Sequence, residues 1–134
     1  MGRAGTGEGE LSVPNVFSFR ALISWSWDYR VWIARCLETG SVATADDPQL
    51  CREMIAEIVQ DELQYSLAHR SLRGLLECPS GGQTWVDFQS ATEESEVRWS
   101  VKWPGTIGRE AKVAECEAVI RIRRLNNKPT EATA

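Results

Sequence analysis

Four cysteines, one histidine and three carboxylates at four-residue steps are the side chains of this 134-residue chain that invite a chemical reading. Cys36, Cys51, Cys78 and Cys116 stand far apart and form no C-x-x-C pair. Neighbouring thiolates pre-organise half of a tetrahedral zinc site, so without them a structural zinc is not expected. Nor is a disulfide framework, because no Lys/Arg-then-apolar leader directs the chain to an oxidising compartment. Free thiols, buried or half-buried, are the expectation.

Glu62 and His69 lie seven residues apart, which on a helix sets them two turns apart on one side. A carboxylate and an imidazole so placed could form an acid/base pair or supply two metal ligands. The run EIVQDELQYSLAHRSLRGLLE is similar to one helix of a ferritin-like di-iron protein, but that architecture draws carboxylates from four helices and a Glu-x-x-His motif from two. This chain has a single His and one long helical pattern, so no metal, no cofactor and no enzymatic reaction is expected, and the two residues are read as capping the edge of a helix that outruns its sheet.

Glu53, Glu57 and Asp61 project together from the same helical pattern and repel one another modestly, which suits water or an opposing basic surface. They are the candidate partner-binding residues. A competing basic surface gathers Arg98, Lys102, Arg121 and Arg123 around the connection Pro104-Gly105-Thr106-Ile107-Gly108-Arg109, with Lys112 beyond it. Its G-x-x-G echoes the backbone clamp of KH domains, which joins helices, whereas this one joins strand patterns and reads as a hairpin loop. Arg109 and Lys112 are the candidate nucleic-acid contacts of this alternative, against a net charge of −4 that disfavours indiscriminate attraction to phosphates.

The elements that must position these groups follow from periodicity. Residues 1–14, rich in Gly and almost devoid of apolar side chains, read as a disordered tail. The alternating Gly5, Gly7 and Gly9 follow no strand and open no helix, and Met1-Gly2 with Thr6 fits a lipidation pattern that acts only in a eukaryotic cell. Phe17, Phe19, Ala21, Ile23, Trp25 and Trp27 occupy every second position, the period of a strand with one buried face. Arg30 to Leu37, apolar on both sides, predicts a central strand, and its Trp-lined neighbourhood reads as cross-strand packing. Gly40 permits a reversal into a short strand over Ser41 to Thr44. Asp47-Pro48 then predicts a helix start, an N-cap acceptor followed by a residue with no amide to leave unbonded. The helix is expected to run to about Leu72 and stop near Gly74, with Cys51, Met54, Ile55, Ile58, Val59 and Tyr65 towards the sheet. Cys78-Pro79-Ser80-Gly81-Gly82 marks a break, and Thr84 to Ser90 suits a short helix or strand. Val97, Trp99, Val101 and Trp103 alternate with polar residues, as do Ala114, Cys116, Ala118, Ile120 and Ile122, predicting two antiparallel strands that extend the sheet or build a second one.

The segment W-I-A-R-C-L-E-T-G, leading through V-A-T into the Asp-Pro helix start, resembles the HicB-like antitoxin family. Trp32, Ala34, Cys36, Leu37, Glu38, Val42, Ala43, Thr44, Asp47 and Pro48 carry the resemblance, which covers Phe17 to Leu76, about half the chain. It implies a truncated RNase H-like core without the carboxylate cluster of a two-metal nuclease, and no acidic residue occurs between Val16 and Trp27. It further implies a homo-oligomer that binds a small basic HicA-type toxin and occludes its RNA-cleaving site. Many members also bind DNA, but no DNA-reading helix pair stands out in this sequence, which puts operator binding in doubt.

The whole is read as an α+β protein with a mainly antiparallel sheet. Residues 15–80 form the HicB-like core, 81–125 a C-terminal β hairpin packed on that core, and 126–134 a disordered polar tail. A cytoplasmic protein without a membrane segment is expected, since no apolar run approaches the roughly 20 residues of a spanning helix. A nucleic-acid-binding module, or a degenerate family member with no toxin, is the alternative.

Overall fold

The computed structural model describes residues 16–69, 71–107 and 110–127, with side chains left aside at 16, 103–107 and 110–115. The elements are β1 (Val16–Ser26), β2 (Val31–Cys36), β3 (Val42–Ala45), α1 (Pro48–Ala68), α2 (Leu72–Leu75), α3 (Gly82–Ser90), β4 (Glu93–Ile107) and β5 (Glu110–Arg124). They form an α+β fold around one five-stranded mixed sheet of order β3-β2-β1-β5-β4. All neighbours are antiparallel except β1 and β5, which run parallel from Val16↔Glu117 to Ile23↔Arg124. The two C-terminal strands therefore extend the first sheet, and Ala118, Ile120 and Ile122 share a core with Phe19, Ala21 and Ile23.

Register puts the period-two residues of each strand in rows. Trp25 lies opposite Trp32, and Ile23 opposite Ala34, which in turn faces Ala43. This face is covered by α1, whose start is built as its residues dictate. Asp47 has extended backbone (φ −128°, ψ 134°), its carboxylate accepts from the Leu50 amide at 2.9 Å, and Pro48 follows. The helix ends at Ala68, short of the expected Leu72. The His69 amide bonds the Tyr65 carbonyl, and the Ser71 amide turns back to Ser66 O at 2.8 Å, so the chain reverses before a separate short turn, α2.

The covering face of α1 also differs from the expected one. Cys51, Ile55, Val59, Leu63 and Leu67 are buried, but Tyr65 is 65% exposed. With Cys51 set at zero and about 100° per residue, the buried positions run from about 0° to 160°, whereas Tyr65 falls near 320°. The second half of the helix, through Leu63 and Leu67, turns the stripe away from the tyrosine.

Residues 82–90 resolve the helix-or-strand ambiguity as α3. It covers the opposite face of the sheet, where Phe88 and Ala91 pack with Leu22 and Leu37. The connection that leads to α3 is held against the β2–β3 turn: the Ser80 amide donates to Leu37 O and its hydroxyl to Cys36 O, at 3.0 and 2.8 Å. Gly40, at φ +77°, makes this approach possible, since a Cβ there would lie 2.0 Å from the Cys78 carbonyl oxygen. Two further expectations change. Residues 104–107 and 110–112 pair within β4 and β5, so the hairpin loop is shorter than its G-x-x-G suggests. Asn127, assigned from sequence to the polar tail, exchanges two 2.9 Å hydrogen bonds with the Trp25 backbone and accepts from the Trp27 indole at 3.1 Å. Residues 1–14 and 128–134, expected from sequence to be terminal tails, lie outside the described residues.

Two substitutions read the rotation of α1. Leu63→Ala is expected to lower unfolding free energy by about 2–5 kcal/mol, against roughly 0.5 kcal/mol or less for Tyr65→Ala, measured by urea denaturation. Equal losses would place the buried stripe where the first half of the helix alone suggests. Gly40→Ala combines left-handed backbone with a clash against a carbonyl, and is expected to cost more than about 1 kcal/mol in the same assay.

Candidate partner-binding site

The rotation of α1 determines what the helix presents outward. On the scale used above, Glu53, Glu57 and Asp61 fall at about 200°, 240° and 280°, opposite the middle of the buried stripe. All three are exposed. Successive acids are separated by about 6 Å of helical rise, so the stripe extends for about 12 Å. Glu53 accepts a 3.1 Å hydrogen bond from Gln49, and the ion pairs among the described residues leave all three acids out. The predicted acidic surface is thus brought together on one face.

At its C-terminal end the stripe runs into an open groove of about 540 Å³ between the last turns of α1, Thr39 of the β2–β3 turn, and Ser71 and Leu75 at α2. Asp61, Glu62, Tyr65 and Ser66 form its α1 wall. Glu62 accepts from the Ser41 hydroxyl, which in turn pairs with the Thr39 hydroxyl at 2.7 Å. His69 instead sits at the helix end, its ring stacked on Tyr65 at 4.0 Å and its Nδ1 2.8 Å from the Tyr65 carbonyl. Glu62 and His69 therefore serve separate structural tasks, and no group of His, Cys, Asp and Glu among the described residues is arranged to hold a metal ion. The groove is not legible in the sequence, because helical periodicity alone turns Tyr65 inward and runs α2 on from α1.

The basic alternative fares differently. Arg98 pairs with Glu117 at 3.0 Å and Glu96 at 3.1 Å, Arg123 with Glu94 at 2.7 Å, and Arg124 with Glu93 at 3.3 Å. These are cross-strand or same-strand neighbours on β4 and β5, so Arg98 and Arg123, two residues of the expected basic surface, have their charges matched in place. Lys112 lies within β5 opposite Gly105, its side chain outside the described residues, as is the whole of Arg109. Across the sheet Arg20 is held by Glu38, which accepts from both its amide and its Nε at 2.8 and 2.7 Å, and its guanidinium lies over Trp85 at 4.6 Å.

The cysteines are free, with Cys36, Cys51 and Cys116 buried and Cys78 exposed. Burial pushes the thiols of Cys36 and Cys116 up and that of Cys51 to about 11. No helix among the described residues is long and apolar enough to cross a membrane. Comparison with protein-family models, with curated proteins and with solved structures finds no match in any of the three.

Because thiolate is the nucleophile, a thiol-specific reagent is expected to label Cys78 rapidly in the folded protein near pH 8, with all four cysteines reacting in denaturant. Cys51, its thiol pushed up to about 11 by burial, should stay unlabelled at that pH. Prompt labelling of Cys51 in the folded state would contradict its burial under α1.

Proposed function

We propose that the chain is a non-enzymatic interaction protein similar to HicB antitoxins, which uses the outward face of α1 to cover a small basic RNA-cleaving partner and block it by contact. On this reading it acts in the cytoplasm as a homo-oligomer. The observation that carries this reading is the placement of Glu53, Glu57 and Asp61: exposed, aligned, opposite the buried stripe and outside the ion pairs of the described residues. Aligned like charges are relieved by an opposing basic surface, which also steers the encounter. The order of three antiparallel strands leading through Val42-Ala43-Thr44 into the Asp47-capped helix supports the same reading. The nucleic-acid alternative gains nothing from Arg98 and Arg123, whose charges are already matched.

The test is co-expression with the product of an adjacent gene that encodes a short basic protein. Co-purification and restored growth are expected, and the triple variant Glu53→Lys/Glu57→Lys/Asp61→Lys should weaken capture by roughly 100-fold with unchanged circular dichroism. If no basic partner is retained and no toxin is neutralised, the antitoxin-like reading falls. Salt-sensitive retention of an oligonucleotide in its place would point to the nucleic-acid module.

A further inference from the structure

The free edge of the sheet is β4, which pairs with β5 on one side and has no neighbour on the other among the described residues. It is long for an edge strand, its 15 residues matched one to one with β5 and no bulge to twist it away. Three observations fix which backbone groups it presents. Only two residues separate Ile107 from Glu110, and positions that flank so short a connection form a hydrogen-bonded pair. The Leu125 amide, in line with the odd-numbered residues of β5, is given to Ile23 O of β1, which turns the even-numbered residues of β5 towards their odd-numbered partners on β4. Pro104, with no amide to donate, falls in the remaining, even-numbered set. The amides and carbonyls of Glu96, Arg98, Ser100 and Lys102 therefore point outward. On the α1 side, Val97 and Trp99 pack against the core but are only half-buried, so the apolar row reaches the edge incompletely covered.

We propose that this edge pairs antiparallel with the same edge of a second copy about a two-fold axis at Trp99, making one continuous sheet from two. The interaction-protein reading above supplies the homo-oligomer on which this rests, and the strand edge supplies its interface. Side chains select the register. With the axis at Trp99, Glu96 of each copy faces Lys102 of the other, Val97 faces Val101, and Trp99 faces itself as an aromatic cross-strand pair. Glu96 and Lys102 are exposed, and Lys102 enters none of the ion pairs of the described residues. An axis at Arg98 would set Arg98 against itself, and one at Ser100 would set it against Lys102. An axis at Val97 would place Trp99 opposite Ser95 and Val101 opposite Glu93. Charges guard an edge when like meets like, whereas in this one register they match and the apolar row continues across the junction. Because the axis stands perpendicular to the sheet, both α1 helices lie on one side of it and both acidic stripes face the same way.

Sedimentation velocity on the full chain is the test, and a dimer is expected for the wild type. Glu96→Lys and Lys102→Glu each set like charges opposite one another at both symmetric positions, and each should raise the dimer dissociation constant about tenfold with unchanged circular dichroism. Mixed one to one, the two variants should associate with each other about as well as the wild type does with itself, because one carries only bases at these positions and the other only acids. Ser100→Pro removes an outward amide while leaving the ladder to β5 intact, so it should yield a folded monomer. A monomeric wild type, a dimer indifferent to all three substitutions, or a mixture that fails to associate would overturn the proposal. So would a wild-type monomer whose capture of a basic partner is lost on Ser100→Pro, since the edge would then serve that partner. Dimerisation that responds as expected with no basic partner found would keep the edge and sink the antitoxin-like reading. Capture of such a partner by a chain that stays monomeric would keep the contact mechanism and sink the edge.

Discussion

The parallel pairing of β1 with β5 is the constraint on which the rest of the structure depends. It joins residues about 100 positions apart, and every other element lies between them in the chain. Closing so long a connection has an entropic cost that local hydrogen bonds do not offset, although that cost grows only slowly with length. The offset comes from burial: Ala118, Ile120 and Ile122 on β5 extend the apolar rows of Phe19, Ala21 and Ile23 on β1, and α1 covers both. Without this pair the sheet would divide into a three-stranded piece and a two-stranded one. The second piece would lose its place under α1, against which Val101 of β4 packs in the shared core.

The position of α1 on this sheet links stability to the exposed surface. Its buried stripe is set by the row of strands beneath it, and the acids follow on the opposite side. A helix rotated by a quarter turn would bury Asp61 and expose Leu63 in one direction, or bury Glu53 and Glu57 and expose Cys51 in the other, so packing of the core fixes the direction in which the carboxylates point. The early end of α1 matters in the same way. Because the chain reverses at His69 and Ser71, α2 stands beside the last turns and encloses the groove, where a longer helix would have left a flat surface.

The features legible in the sequence were those specified by neighbouring residues. Period-two rows gave the strands, and Asp47-Pro48 gave the helix start, because an N-cap and its orphan amides lie within four residues of one another. The three acids could likewise be placed on one helical face from their spacing. Tyr65 was misplaced since the first half of α1 allows several stripe centres, and Leu63 and Leu67 decide among them only against the sheet. Gly74 looked like the stop because a glycine is a strong local signal, while the actual stop depends on the Ser71 amide finding Ser66 O. The neighbour of β1 left no local mark at all. Alternation in β5 shows a strand with one buried face but not which edge it meets or in which direction, and the charge pairs across β4 and β5 became visible only with the register.

The distance along the chain between β1 and β5 also has a consequence during synthesis. At roughly 5–20 residues per second, β1 leaves the ribosome some 5–20 s before the strand that completes its side of the sheet. Throughout that interval β2 and β3 can protect one edge, but the other edge of β1, with Phe17, Phe19 and Ile23 on its face, stays open to any extended segment nearby. The nascent protein is therefore most vulnerable to mispairing in its most aromatic strand, and a slowed or truncated C-terminus would extend that exposure rather than merely remove a peripheral element.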